Sequence, residues 1–361
     1  MSSKVSRSAL RRRKKNAINV NVAIVGLNRL SASLGLALRG INDRDNTDIV
    51  FTVLGRDDDN DTMKTAQKIG AIDNFNRSLQ TVVESADIVF IDVPMGDLEE
   101  LFERLGKTLK SGAVVVDLSP LKQPGVELAK KYFPKDLNGK LTAYIVGATP
   151  LTSFDQIYVT SMDVEAADEF MFRNADMVIS PAASIPPEAV KVVTDMAGFL
   201  NMTPRFMDPA EYDGLAALHE SLPTMLGILM FQTVVQSPGK LDVLRAANGT
   251  FANAVQALRH VNAKDLLARW RPNNEALVQQ VEQMVQSLES FRQLIEDDLK
   301  DPMVLETYLE QILHAFVDWE VRREQNNWHM EKSSPLDNVQ TGVPVIGQMF
   351  SRRGSATNGD D

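Results

Sequence analysis

The sequence predicts an α/β fold, a doubly wound sheet of parallel strands, followed by an all-helical C-terminal domain. Three observations carry this. Short Val- and Ile-rich runs recur through the first 207 residues and alternate with segments of helical period; strands separated by helices need crossovers, which make neighbouring strands parallel. A lone glycine, Gly26, stands between the first such run and the first helical segment. From Asp208 the β pattern stops, and a helical pattern continues to about residue 327.

Residues 18–25 alternate and then saturate with Val and Ile before Gly26, as a strand buried on both faces does. Residues 30–39 turn helical, Gly40 and the polar stretch 42–48 break the chain, and 49–54 read as a second buried strand. Helices follow near 62–69 and 79–86, a strand at 88–93, a helix at 98–109 and a strand at 114–118. Further strands are expected at 142–147, 177–180 and 204–207. Asp208-Pro209-Ala210-Glu211 then supplies a capping carboxylate, a proline at the first helical position and an acid at the third. Beyond it Leu277, Val281, Met284, Leu288, Phe291 and Ile295 recur four and three apart, and Asp301-Pro302 opens a helix striped by Leu305, Leu309, Ile312 and Phe316. Such a seam suits packing within the chain and packing between two copies equally. The expected organisation is a basic disordered arm at 1–16, a nucleotide-binding domain at 17–207, a helical domain for substrate and dimerisation at 208–330, and a disordered tail at 331–361.

Composition narrows the function. The net charge of -10 argues against general nucleic-acid binding, which needs a surplus of Lys and Arg. The basic residues Lys4, Arg7, Arg11, Arg12, Arg13, Lys14 and Lys15 precede the first acid, Asp43, and read as a solvated arm or, alternatively, as a transit peptide. No apolar run approaches the ~20 residues of a membrane helix, so no membrane partner is expected. The chain has no cysteine, which excludes disulfides and thiolate ligands, and no metal-ligand spacing is present. A cytoplasmic location is expected.

A dinucleotide site needs a tight turn from first strand to first helix, with the pyrophosphate on backbone N–H groups at the helix start. Gly26 is placed to give that turn. Asn28 and Ser31 occupy the next two glycine positions: Asn tolerates left-handed backbone, and Ser is small enough for close packing. Arg29, beside Leu30, is a candidate phosphate ligand or a solvated side chain. After the second strand come Gly55-Arg56-Asp57-Asp58-Asp59. The acid Asp57 suits the ribose hydroxyls of NAD and Arg56 the 2′-phosphate of NADP, so the sequence leaves both cofactors open. These features together predict a Rossmann-type sheet that binds NAD or NADP.

Five segments in order resemble the prephenate/arogenate dehydrogenase family. Val25-Gly26-Leu27-Asn28-Arg29-Leu30-Ser31 resembles its entry turn, and Ala86-Asp87-Ile88-Val89-Phe90-Ile91-Asp92-Val93-Pro94 its fourth strand, with Val93 and Pro94 beside the nicotinamide. Asp117-Leu118-Ser119-Pro120-Leu121-Lys122 resembles Asp-x-Gly-Ser-Val-Lys, and Val146-Gly147-Ala148-Thr149-Pro150 resembles Val-Gly-Gly-His-Pro. His219-Glu220-Ser221-Leu222-Pro223-Thr224 resembles the Ser-His-Leu-Pro-His helix. The resemblance runs from about residue 22 to 270. It implies oxidative decarboxylation of prephenate or arogenate in tyrosine biosynthesis, with a histidine as proton acceptor, work suited to a pKa near neutral. Thr149 stands at that histidine, Thr224 at a second one, and Pro120, preceded by Ser119, at the family's serine. The carboxylate-binding arginine aligns with Gln256, leaving Arg259, Arg269 and Arg271 as candidate replacements. Of the chain's four histidines His219 is nearest the motif; it reads as a substitute base or as a packing residue beside Leu215, Leu218 and Leu222.

The resemblance therefore implies a divergent NAD(P)-dependent oxidoreductase acting on a small molecule, with catalytic candidates Ser119, Thr149, His219 and Thr224. The replaced positions imply the competing reading, a catalytically silent NAD(P)-binding or regulatory protein that keeps the fold.

Overall fold

The computed structural model describes residues 17–44 and 48–328; the expected arm at 1–16 and tail at 331–361 lie outside the described residues. Strand β1 (Ile18–Val25) leads through Gly26 into helix α1 (Arg29–Asn42). There follow β2 (Ile49–Arg56), α2 (Asn60–Lys68), β3 (Asn74–Phe75), α3 (Leu79–Val83), β4 (Ile88–Ile91), α4 (Leu98–Gly106), β5 (Val114–Asp117), α5 (Gln123–Tyr132) and β6 (Tyr144–Pro150). After a single turn, α6 (Phe154–Ile157), come β7 (Asp176–Ser180), α7 (Pro187–Phe199) and β8 (Thr203–Phe206).

These strands form one eight-stranded sheet in the order β3-β2-β1-β4-β5-β6-β7-β8. Strand order reverses between β1 and β4, and a ligand crevice in such sheets opens there, outside the carboxyl ends. The central strand β4 is fully apolar and β5 is apolar up to its closing Asp117, as burial on both faces requires: Ile88–Ile91 and the three valines Val114, Val115 and Val116 are all buried. One expectation is corrected. The strand expected at 177–180 runs antiparallel to β6, with Gly147 opposite Ser180, and not parallel to it. The physical reason is the connection: between β6 and β7 the only helical pieces are α6 and the 3₁₀ turn Val164–Ala166, too little for a crossover helix. Parallel pairing resumes at β7–β8, where α7 supplies the crossover.

Helices follow: α8 (Pro209–Ala216), α9 (Leu222–Gln236), α10 (Lys240–Ala246), α11 (Gly249–Ala254), α12 (Ala263–Trp270), α13 (Asn274–Asp298) and α14 (Met303–Gln325). Asp208 caps α8 as expected, its carboxylate accepting from Ala210 N at 2.8 Å. A π turn, Ala217–Ser221, joins α8 to α9 just before Pro223; the proline lacks the N–H that a regular helix would use, and the wider turn absorbs this. The resulting stretch Pro209–Gln236 is long and apolar enough by length and composition alone to cross a membrane, a test that the core helix of a soluble protein also passes; a third of its most apolar window (33%) is buried within the chain.

In packing, the chain divides into a unit ending at Val278 and another beginning at Gln279. The helices α8 to α12 therefore belong to the same compact unit as the sheet. Within the second unit Phe291 meets Tyr308 with ring centres 6.1 Å apart, and Leu294 and Ala315 are buried.

Candidate functional site

The phosphate turn is built as its glycine demands. Gly26 has φ +89°, and a Cβ there would lie 2.1 Å from the Asp92 carbonyl oxygen, so no other residue fits. The atom crowding it belongs to the end of β4. Asn28, by contrast, is extended (φ -142°) and not left-handed. Its side chain explains its presence: Oδ1 accepts from Leu30 N (2.7 Å) and Ser31 N (3.2 Å), and Nδ2 donates to Asp92 Oδ2 (2.8 Å). Ser31 completes a capping box by accepting from Asn28 N at 3.0 Å.

The remaining N–H groups of the turn also have partners. Gly26 N donates to Arg56 O (2.9 Å), Leu27 N to Asp57 Oδ2 (2.8 Å) and Arg29 N to Met162 O (2.9 Å). Arg29 is 4% exposed and points inward. Its Nη1 donates to Val159 O (2.9 Å), its Nε to Ala166 O (3.2 Å) and its Nη2 to Gln156 Oε1. Burial lowers its pKa, opposed by Asp168. Arg29 is thus buried, against the expectation of a solvated side chain, and its guanidinium donors are engaged within the chain.

At the ribose position Asp57 accepts from Leu27 N and from Asp59 N (2.9 Å), while Arg56 pairs with Asp58. A pyrophosphate in this fold rests on free amides at the first helix. From Gly26 to Ser31 every amide is engaged within the chain, and the carboxylates of Asp57 and Asp92 border the turn. In this arrangement the turn has no free amide to offer a dinucleotide phosphate.

At the carboxyl ends of β4, β5 and β6 lies a buried polar cluster. Lys122 is 1% exposed, and its three ammonium protons meet three carbonyls: Ser119 O (2.5 Å), Ala148 O (3.0 Å) and Asp117 O (3.2 Å). Burial lowers its pKa, opposed first by Asp117. The Nζ also lies 5.2 Å from the centre of the Tyr212 ring. Asp213 caps α5 by accepting from Lys122 N (2.6 Å) and Gln123 N (3.0 Å), tying α8 to α5. Burial pushes the Asp117 and Asp213 carboxyls up, and pushes Asp92 up to about 6 despite the bond from Asn28. Sequence reasoning missed Asp92, Tyr212 and Asp213. Their roles depend on partners far along the chain, and no local pattern marks them.

The expected catalytic residues fall into two groups. Ser119 and Thr149 are in the cluster, and neither Oγ of Ser119 nor Oγ1 of Thr149 completes a hydrogen bond of good geometry. Thr149 faces Tyr212, whose hydroxyl burial pushes up to about 12, with Thr149 pulling weakly the other way. Thr224 is taken up by its own helix, its hydroxyl donating to Glu220 O at 3.1 Å. His219 is half exposed, edge-on to Tyr212 with ring centres 5.9 Å apart, and 3.8 Å from Glu220. Val93 and Pro94 precede the 3₁₀ turn Met95–Asp97, where Met95 N donates to Asp265 Oδ1 (2.7 Å). The other Asp265 oxygen pairs with Arg269 at 2.6 Å, so Arg269 is not a free carboxylate ligand.

Comparison with known proteins agrees with this fold. Residues 43–201, which begin after α1, match the nucleotide-binding domain of prephenate dehydrogenase. Prephenate dehydrogenase from Bacillus subtilis is 21% identical over 289 residues, 78% of this chain and 72% of that protein. Prephenate dehydrogenase from A. aeolicus, solved with hydroxyphenyl propionate and NAD+, superposes with a TM-score of 0.65 at 19% identity, over 81% of this chain and 96% of that one. Synechocystis arogenate dehydrogenase gives 0.60 at 20% identity, over 83% and 100%. Residues 43–201 are thus similar to the nucleotide-binding domain of prephenate dehydrogenase, a match that takes in three of the five segments.

Proposed function

We propose that this chain is a catalytically silent protein that retains the dehydrogenase fold. One observation carries the reading: where the resemblance implies the family's proton acceptor, the chain has Thr149 beside the hydroxyl of Tyr212, itself held up to about 12. Neither accepts a proton at neutral pH, and general-base catalysis contributes ~10² to 10⁴-fold in rate. The nearest amine, on Lys122, has all three protons engaged by carbonyls.

A second observation favours the alternative, a divergent oxidoreductase using NAD or NADP on prephenate, arogenate or a similar small molecule. Buried Asp117 Oδ2, Ser119 Oγ, Thr149 Oγ1 and Ser180 Oγ all lack good partners, and such groups with shifted carboxyls beside them mark functional sites in other folds. Steady-state reduction of NAD and NADP with prephenate and arogenate decides between them. We expect no turnover above background in the parent or in Thr149→His/Thr224→His; a parent rate of ~1 per second or more overturns the silent reading.

The same proposal extends to assembly. In the single chain Leu288 (59%), Ile295 (48%) and Phe316 (48%) remain exposed along the helical seam, and a second copy would cover them. Light scattering at micromolar concentration is expected to give twice the chain mass, and a monomer refutes the dimer.

A further inference from the structure

We infer that this chain carries its own occupant for the pyrophosphate seat: residues 156–168, latched to the start of α1 by Arg29, exclude dinucleotides until the latch is opened. The inference adds to the silent reading, on which it rests only in taking the seat as lost to nucleotide.

The latch has three parts on the α1 side. Arg29 N donates to Met162 O, replacing a ligand oxygen with a backbone carbonyl at 2.9 Å. The Arg29 guanidinium reaches Val159 O, Ala166 O and Gln156 Oε1, so both ends of the segment hang on one side chain. Ser33 Oγ accepts from Asp168 N (2.9 Å) while donating to Arg29 O (2.6 Å). On the segment itself Gln156 Nε2 donates to Asp168 Oδ2 at 2.9 Å, closing the loop. An arginine at a dinucleotide turn would ordinarily attract phosphate; here its charge faces Asp168 and its donors face carbonyls, so the feature that reads as a phosphate ligand works against one.

The segment is held more by these polar bonds than by burial. Tyr158, Val159 and Met162 are 57%, 41% and 47% exposed, and Val164 is the apolar side chain it buries. Removing Arg29 therefore frees the segment at little cost to the core. A dinucleotide must displace the segment to bind, and its apparent affinity falls by the fraction of chains in the open form.

The test is calorimetric titration of the full chain with NAD, NADP and ADP-ribose, on the parent, Arg29→Ala and the milder Gln156→Ala. The expected result is no binding by the parent at millimolar nucleotide and at least a tenfold gain in affinity for Arg29→Ala, with a smaller gain for Gln156→Ala. Hydrogen exchange on the parent is read alongside, so that a variant failing to fold leaves the inference exposed. The amides of Arg29 and Asp168, which the latch engages, are expected to be protected without nucleotide. Micromolar NAD binding by the parent, free exchange at those amides, or folded variants with no gain overturns the inference. Turnover separates the two readings: a variant that binds NAD and oxidises prephenate supports the latch and sinks the silent protein, whereas a parent that binds NAD without turnover does the reverse.

Discussion

The phosphate turn and the ends of β5 and β6 have both moved away from what the family's motifs imply, by opposite routes. At the turn the backbone design survives, with Gly26 at φ +89°, but its donors are satisfied by other parts of the same chain. At the strand ends a side chain departs instead: Thr149 stands where the resemblance implies a base, among buried carboxyls pushed up by burial. The difference teaches that a phosphate turn can keep its glycine while its N–H groups are taken up by other parts of the same chain.

Breaking the knot at the strand ends has the largest expected effect. In Lys122→Met three buried carbonyls and Asp117 lose their shared cation, and removing one partner of a buried charged network costs about 3–5 kcal/mol. Urea unfolding of the variant measures this. A loss under about 1 kcal/mol would mean that water replaces the ammonium, and that this region is as open as the turn.

Asp92 sharpens the comparison because it touches both regions, bonding Asn28 of the turn and feeling Lys122 of the knot. Its folded pKa, about 6, lies above the ordinary 3.8, so the fold favours the protonated form. Stability from this group is full below about pH 4 and lost as pH rises through 6. Asp92→Asn, which keeps an acceptor for Asn28, should then stabilise the chain at pH 8 by about 1–3 kcal/mol, the lower figure reflecting that part of the residue still reaches solvent. The gain should shrink toward pH 5. Urea melts at the two pH values check this, and an equal difference at both would place the cost in packing and not in charge.

Much of the fold was legible. Strand β1 kept its expected limits, and the buried run 22–25 is where its Val and Ile saturate, while its first half, with Asn19 and Asn21, is more exposed. Helices α5 and α7 were not singled out: α5 buries only Gly125, Val126 and Ala129, a thin stripe. The site was less legible. The turn at Gly26 was legible because its positive φ is a local demand, though the Asp92 carbonyl that crowds it was not, and Asn28 was assigned a backbone reason when its side chain was the cause. Arg29 was misread because its partners lie about 130 positions away, at Gln156, Val159 and Ala166. Periodicity reports the face of an element and carries no information about which distant loop will meet it.

The reversed strand β7 gives that distant loop its reach. Because β7 runs against β6, the chain leaves the sheet at the carboxyl end of β6 and re-enters it at the same rim. A parallel return would have consumed the connection in carrying the backbone from one rim to the other. Residues 151–175 make no such journey, so they fold over that rim instead, with Met171 and Phe172 packed into the core and 156–168 reaching the start of α1.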